Sequence, residues 1–124
     1  LVSPKNELDD SERMVNCVKP YISLLKQGER VSKYHPKGSY FSYGRTYNDR
    51  PINTVLSGSH NSIMHPVKTR WLTLSEIRRC SSFPDNFKFI SINDGFIRIG
   101  NSVPPNLMKH IALYIQKCAD FNKV

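Results

Sequence analysis

Arg70-Trp71-Leu72-Thr73-Leu74-Ser75-Glu76, followed by Phe83-Pro84-Asp85-Asn86-Phe87, is the stretch on which the reading of this chain turns. Thr73 and Glu76 have the Thr-x-x-Glu spacing of a capping box. There the threonine hydroxyl accepts from the amide three residues on, and the glutamate reaches back to the threonine amide. A short helix is therefore predicted to begin at Thr73, with Ile77 and Cys80 facing a core and Arg78 and Arg79 on the surface. Pro84 ends it, because proline cannot continue a helix. Phe87, Phe89 and Ile90 suggest a short strand. Gly100-Asn101-Ser102-Val103-Pro104-Pro105 then leads into a segment whose Leu107, Met108, Ile111, Ala112, Ile115, Cys118 and Ala119 share one face. This is an amphipathic helix with a proline near its first turn.

Towards the start of the chain the signals are weaker. Met14, Val15, Val18, Ile22 and Leu25 recur at three- and four-residue spacing, which predicts helix from Ser11 to about Lys26. Pro20 must kink it or start a second piece, and Gly28 supplies a stop. Val31 to Pro51 reads as loops rich in Tyr, Ser, Gly, Lys and Arg. Short extended pieces are expected around Tyr40-Phe41 and Thr54-Val55-Leu56.

With 124 residues, the chain has room for one modest core, or is a fragment of a larger fold. Hydrophobic residues at 39% and charged residues at 23% indicate a globular chain rather than a disordered tail. No apolar run approaches the roughly 20 residues that span a bilayer. The opening at Leu1, without Met, a basic leader or an apolar core, suggests an excised segment with no secretory signal. Eighteen Lys and Arg against ten Asp and Glu give a net charge of +8, the footprint of a nucleic-acid partner, although an anionic surface would also suit it. Glu7, Asp9, Asp10 and Glu12 make the first dozen residues the acidic exception.

Cys17, Cys80 and Cys118 are widely spaced, which argues against a disulfide framework or a zinc site and for a reducing compartment. Each sits in a helical apolar stripe, so they read as core filler. His35, His60, His65 and His110 are scattered and lack an evident nucleophile or carboxylate partner; they read as surface or packing residues. No phosphate-cradling glycine loop occurs. The chain presents no catalytic and no metal-binding set of its own.

The two opening motifs, with Arg79 between them, and Gly100 to Pro105 after them resemble in order and spacing the last two signature motifs of DNA cytosine-5 methyltransferases. In that family the first reads Arg-x-Leu-Thr-x-Arg-Glu, then Ala-Arg-Leu-Gln and Phe-Pro-Asp-x-Phe. The second reads Gln-x-Gly-Asn-Ser/Ala-Val-x-Pro before a closing helix. Arg50-Pro51-Ile52-Asn53-Thr54-Val55 and His65-Pro66 look like the Pro-x-x-Thr and His-Pro stretch that precedes them. Ser75 stands where the family usually has Arg, Cys80-Ser81 replace Leu-Gln, and Arg98 replaces Gln.

The resemblance implies an α+β chain. It would be the C-terminal fragment of an S-adenosylmethionine-dependent α/β methyltransferase, holding part of the small target-recognition domain (residues 1–69) and the C-terminal motifs and closing helix (70–124). It implies methyl transfer from S-adenosylmethionine to a cytosine flipped out of duplex DNA. The family's Pro-Cys nucleophile, its Glu-Asn-Val and its glycine-rich cofactor loop are not in this chain. Double-stranded DNA and the catalytic N-terminal portion, on the same chain or a partner subunit, are the implied partners, in a bacterial cytoplasm. Asn101, Ser102 and Val103 are expected at the cofactor pocket, where a polar turn at a helix N-terminus would offer free amides to a carboxylate. Arg70, Thr73, Glu76 and Arg79 are expected to organise the domain junction or reach phosphate. Lys33, Lys37, Tyr43 and Arg45 are the candidate DNA face, with Tyr34, His35, Tyr40, Tyr47 and Arg50 around them. The alternatives are a stand-alone DNA-binding module and the non-catalytic subunit of a split enzyme.

Overall fold

The computed structural model describes residues 2–13, 16, 18–40, 42–57 and 62–121. The elements are α1 (Pro4–Glu12), α2 (Lys19–Ile22), a 3-10 turn (Val31–Lys33), β1 (Gly44–Arg45), β2 (Ile63–Met64), α3 (Leu74–Cys80), α4 (Ile92–Asn101) and α5 (Pro105–Phe121). The chain is thus mostly helical, with a two-stranded parallel sheet in the register Gly44 to Ile63 and Arg45 to Met64. Antiparallel bridges add Arg30 beside Gly44 and Trp71 beside Met64. Four short extended segments therefore lie side by side.

This small sheet separates two cores. Successive side chains of a strand point to opposite faces. Ile63 and Leu72 accordingly join Leu74, Ile77, Phe89, Phe96 and Ile99 in a helical core. Met64 and Trp71 join Val18, Ile22, Leu25 and Val31 in an aromatic core fringed by Tyr21, Tyr34, Tyr40 and Tyr43. Both cores draw on residues from either side of position 70.

The helices form for local reasons that differ in legibility. α3 has the full capping box: Glu76 N donates to Thr73 Oγ1 at 3.2 Å and Thr73 N to Glu76 Oε2 at 2.9 Å. It ends at Cys80, three residues before Pro84 is reached. Ser82 takes a left-handed φ of 60°, its amide donating to Arg79 O and that of Phe83 to Arg78 O. This is a Schellman stop with serine in the glycine position. α4 was not anticipated. Ser91 caps it by accepting from Asp94 N at 3.1 Å, and Arg98 Nε meets Asp94 Oδ1 at 2.7 Å one turn on. A Cβ at Gly95 would sit 2.6 Å from the Leu74 methyls, so the glycine lets α4 approach α3.

Several expectations are corrected. The helix over 11–26 is replaced by α1, begun by Ser3 accepting from Asn6 N at 3.2 Å with Pro4 in its first turn, and by the four-residue α2. Val18, Ile22 and Leu25 are buried as their spacing required, and of the two outcomes open at Pro20 it is the start of a second helical piece, α2, that occurs. Met14, Val15 and Cys17 lie outside the described residues. The first strand falls at 44–45, and the 54–56 and 87–90 stretches are irregular, with Val55 and Phe89 still packed into the helical core. Cys80 and Cys118 are exposed rather than core filler. α5 forms as expected, yet no residue of it is buried. Tyr114 and Phe121 are 69% and 82% exposed.

Candidate nucleic-acid interface and cofactor turn

The junction motif is a built polar cluster. Arg70, 6% exposed, grips Glu76 through two bonds of 2.8 and 2.7 Å, and donates to Trp71 O at 2.8 Å. Burial by itself would raise the Glu76 carboxyl; the Arg70 bonds and charge and the Thr73 amide outweigh it and hold it at about 2. One carboxylate thus caps α3 and neutralises the arginine beneath it. Glu7 of α1 meets the same helix start, accepting from Ser75 N at 2.8 Å and Ser75 Oγ at 3.0 Å. Trp71 is held from the same side, its N donating to Ser11 O at 2.8 Å and its Nε1 to Arg13 O at 2.9 Å. Glu7 is a contact of the candidate site that the sequence reading missed, and no local spacing could reveal a partner 68 residues away.

Arg79 is exposed but committed to Asp85 by bonds of 2.8 and 3.1 Å, which, with the charges, depress the Asp85 carboxyl. Arg78 donates to Phe87 O at 3.1 Å. The two arginines therefore shape the Phe-Pro-Asp loop.

The expected DNA face divides in two. Lys33 points outward, paired with Glu29, which also accepts from Tyr34 Oη at 2.7 Å. The Lys33 and Tyr34 hydrogen bonds and the Lys26 amide bring the Glu29 carboxyl to about 2. Lys37 is exposed, and Arg50 lies 4.5 Å from the centre of the Tyr47 ring. Arg45 and Tyr43 turn the other way. Arg45 is 8% exposed and donates to Leu25 O (2.9 Å), His65 O (2.9 Å), Lys68 O (3.1 Å) and Ile22 O (3.3 Å). Its guanidinium fork serves as an internal tie between chain segments. Tyr43 packs between Tyr40, edge-on at 5.7 Å, and Trp71, tilted at 5.6 Å between ring centroids.

Asn101, Ser102 and Val103 are brought together, but not at a helix N-terminus. Asn101 is the last residue of α4, and Ser102 caps it, its N and Oγ both donating to Ile99 O at 3.2 and 2.7 Å. α5 begins at Pro105, which has no N–H, and the next amide, Asn106 N, donates to Ser82 Oγ at 3.0 Å. Asn101 and Val103 are the exposed side chains of this turn. Two surface grooves of about 390 and 210 Å³ run along Val2, α1 and residues 87–93 and include none of these three residues. Among the described residues no His, Cys, Asp and Glu cluster could hold a metal, and no helix is long and apolar enough to cross a membrane.

A capped Arg-x-Leu-Thr-x-x-Glu helix start, an arginine-clamped Phe-Pro-Asp loop and a Gly-Asn-Ser-Val turn ahead of the last helix are the marks of a DNA methylase. The sequence profile for C-5 cytosine-specific DNA methylase matches residues 5–117, and the chain belongs to that family. It is 37% identical over 98 residues to a protein of Methanocaldococcus jannaschii named as a type II methyltransferase, covering 77% of this chain and 31% of that one. It is 50% identical over 50 residues to the NgoPII type II methyltransferase of Neisseria gonorrhoeae, covering 39% and 15%. Chicken DNA (cytosine-5)-methyltransferase 1 is 28% identical over 111 residues, covering 89% and 7%. The chain therefore spans less than a third of the length of these relatives.

Proposed function

We propose that this chain is the C-terminal, DNA-recognising part of a DNA (cytosine-5)-methyltransferase, acting on duplex DNA with S-adenosylmethionine and inactive without the catalytic portion. The observation that carries the reading is α5: a 17-residue helix with one apolar face and no buried residue, on a chain matching less than a third of its relatives. That face supplies the surface on which the catalytic portion closes. When bound, S-adenosylmethionine supplies the methyl group. In this chain the Asn101 carboxamide and the Val103 side chain are the atoms that would meet it. Ser102 sets the turn.

Lys33, Lys37 and Arg50 supply phosphate contacts, whose loss reduces affinity and flattens its salt dependence. The Arg70–Glu76 pair and the Arg79–Asp85 clamp hold the joint on which that face is carried. The test mixes this chain with the part of the M. jannaschii relative that it does not match, and follows methyl transfer from S-adenosylmethionine to duplex DNA. Transfer only in the mixture, with α5 amides becoming protected from exchange, is the expected result. Salt-sensitive duplex binding by the chain alone, with no transfer on mixing and no change at α5, would favour a stand-alone binding module instead.

A further inference from the structure

His65 opens the tight turn that joins β2 to Trp71, between the two residue pairs, Ile63-Met64 and Trp71-Leu72, that divide their side chains between the two cores. Its Nδ1 accepts from the amides of Val67 and Lys68, both at 3.0 Å. Its own amide donates to Arg70 O at 2.9 Å and closes the turn. The turn in turn supplies two of Arg45's acceptors, His65 O and Lys68 O, and Pro66 O accepts from Gln27 Nε2 at 3.5 Å. A ring nitrogen that accepts two amides must keep its lone pair, so the neutral ring carries its proton on Nε2, 3.9 Å from Glu76 Oε1.

The charges around the ring oppose a second proton. Arg70 and Lys68 from the turn and Arg45 from β1 are positive, and only Glu76 of α3 is negative, its oxygens already shared with Arg70 and the Thr73 amide. Burial first, then Arg70, push the imidazole below its ordinary value, against a smaller pull from Glu76. His35, in the similar His35-Pro36-Lys37 sequence, accepts from the Lys37 amide at 3.2 Å.

We infer that His65 is an acid-release pin: protonation of Nδ1 withdraws the acceptor from the Val67 and Lys68 amides, opens the turn that anchors Arg45, and loosens the joint between the two cores. A folded-state pKa below the unfolded value means that the unfolded chain binds the extra proton first. Stability is therefore whole above about pH 6.5 and falls as the pH drops beneath it, levelling off under the folded-state value.

The experiment is a pH titration of the full chain by nuclear magnetic resonance, with the histidine signals assigned by substitution. The expected result is an Nε2–H tautomer for His65, a midpoint below 6.5, and exchange protection of the Val67 and Lys68 amides that falls by up to roughly tenfold per pH unit from about 6.5 down to that midpoint and levels off beneath it. His65→Asn, whose Oδ1 can accept from the same amides and does not titrate, should keep the turn protected and remove the step. An Nδ1–H tautomer, a midpoint at or above 6.5, amides that stay protected through the titration, or a step that survives in His65→Asn would each overturn the inference.

Discussion

The body formed by residues 2–101 and the helix that follows it invert the usual relation between pattern and burial. α5 has a continuous apolar face and buries nothing, whereas α4, interrupted by two glycines, contributes Phe96 and Ile99 to the helical core. A helix's periodicity reports that a face will be covered somewhere. It does not report that the cover is in the same chain. Conversely, glycines that count against a helix in isolation are what allow it to be packed closely.

The comparison breaks most visibly at Trp71, whose ring fills the aromatic core and whose amide and indole N–H tie down α1 and the chain after it. Trp71→Ala should cost about 3–5 kcal/mol in denaturant unfolding and loosen both ends of the body. Next comes Glu76→Gln, which leaves Arg70 buried without its counter-charge and should cost about 2–3 kcal/mol. Because the Glu76 carboxyl is depressed to about 2, its contribution is present above the ordinary 4.5 and is lost as the pH falls from there towards 2. The acid limb of a stability profile, compared between wild type and variant, checks this window. Gly100→Ala should cost about 1–3 kcal/mol, since its Cβ would lie 2.3 Å from the Leu56 and Ser57 backbone. Gly95→Ala should cost less, its neighbour being the movable end of Leu74. The smallest effect belongs to α5: Ile111→Ala or Ile115→Ala should change the unfolding free energy of this chain by less than about 0.5 kcal/mol. The same substitutions should weaken assembly with the catalytic portion in the mixing experiment. A large loss in the isolated chain would erase the contrast between body and helix.

What could be read from sequence was what is settled within one helical turn. The capping box at Thr73 and Glu76 and the 3.6-residue repeat of α5 are of that kind. α4 carried its own signature in Ser91 and Asp94, but Gly95 and Gly100 make sense only against Leu74 and Leu56, residues from elsewhere in the chain. The early helix was misplaced because the spacing of Val18, Ile22 and Leu25 reports a buried face, and a broken path through Pro20 buries it equally well. At the candidate site, Arg70 and Glu76 were legible as a motif. Arg45 was not: in a loop rich in Tyr and Lys, a phosphate-binding arginine and one that holds four carbonyls together look alike. The Asn101–Val103 turn was legible as the lead into the last helix, but its capping by Ile99 O depended on recognising α4.

The alternation by which Ile63 and Leu72 face one core while Met64 and Trp71 face the other also restricts how this region can change length. Adding or removing one residue within either pair would send each following side chain to the wrong core, and no local adjustment restores a strand's two-residue period. Insertions and deletions must therefore enter through the irregular segments flanking the joint. A loop can be replaced there wholesale, while these four residues act as the fixed splice points.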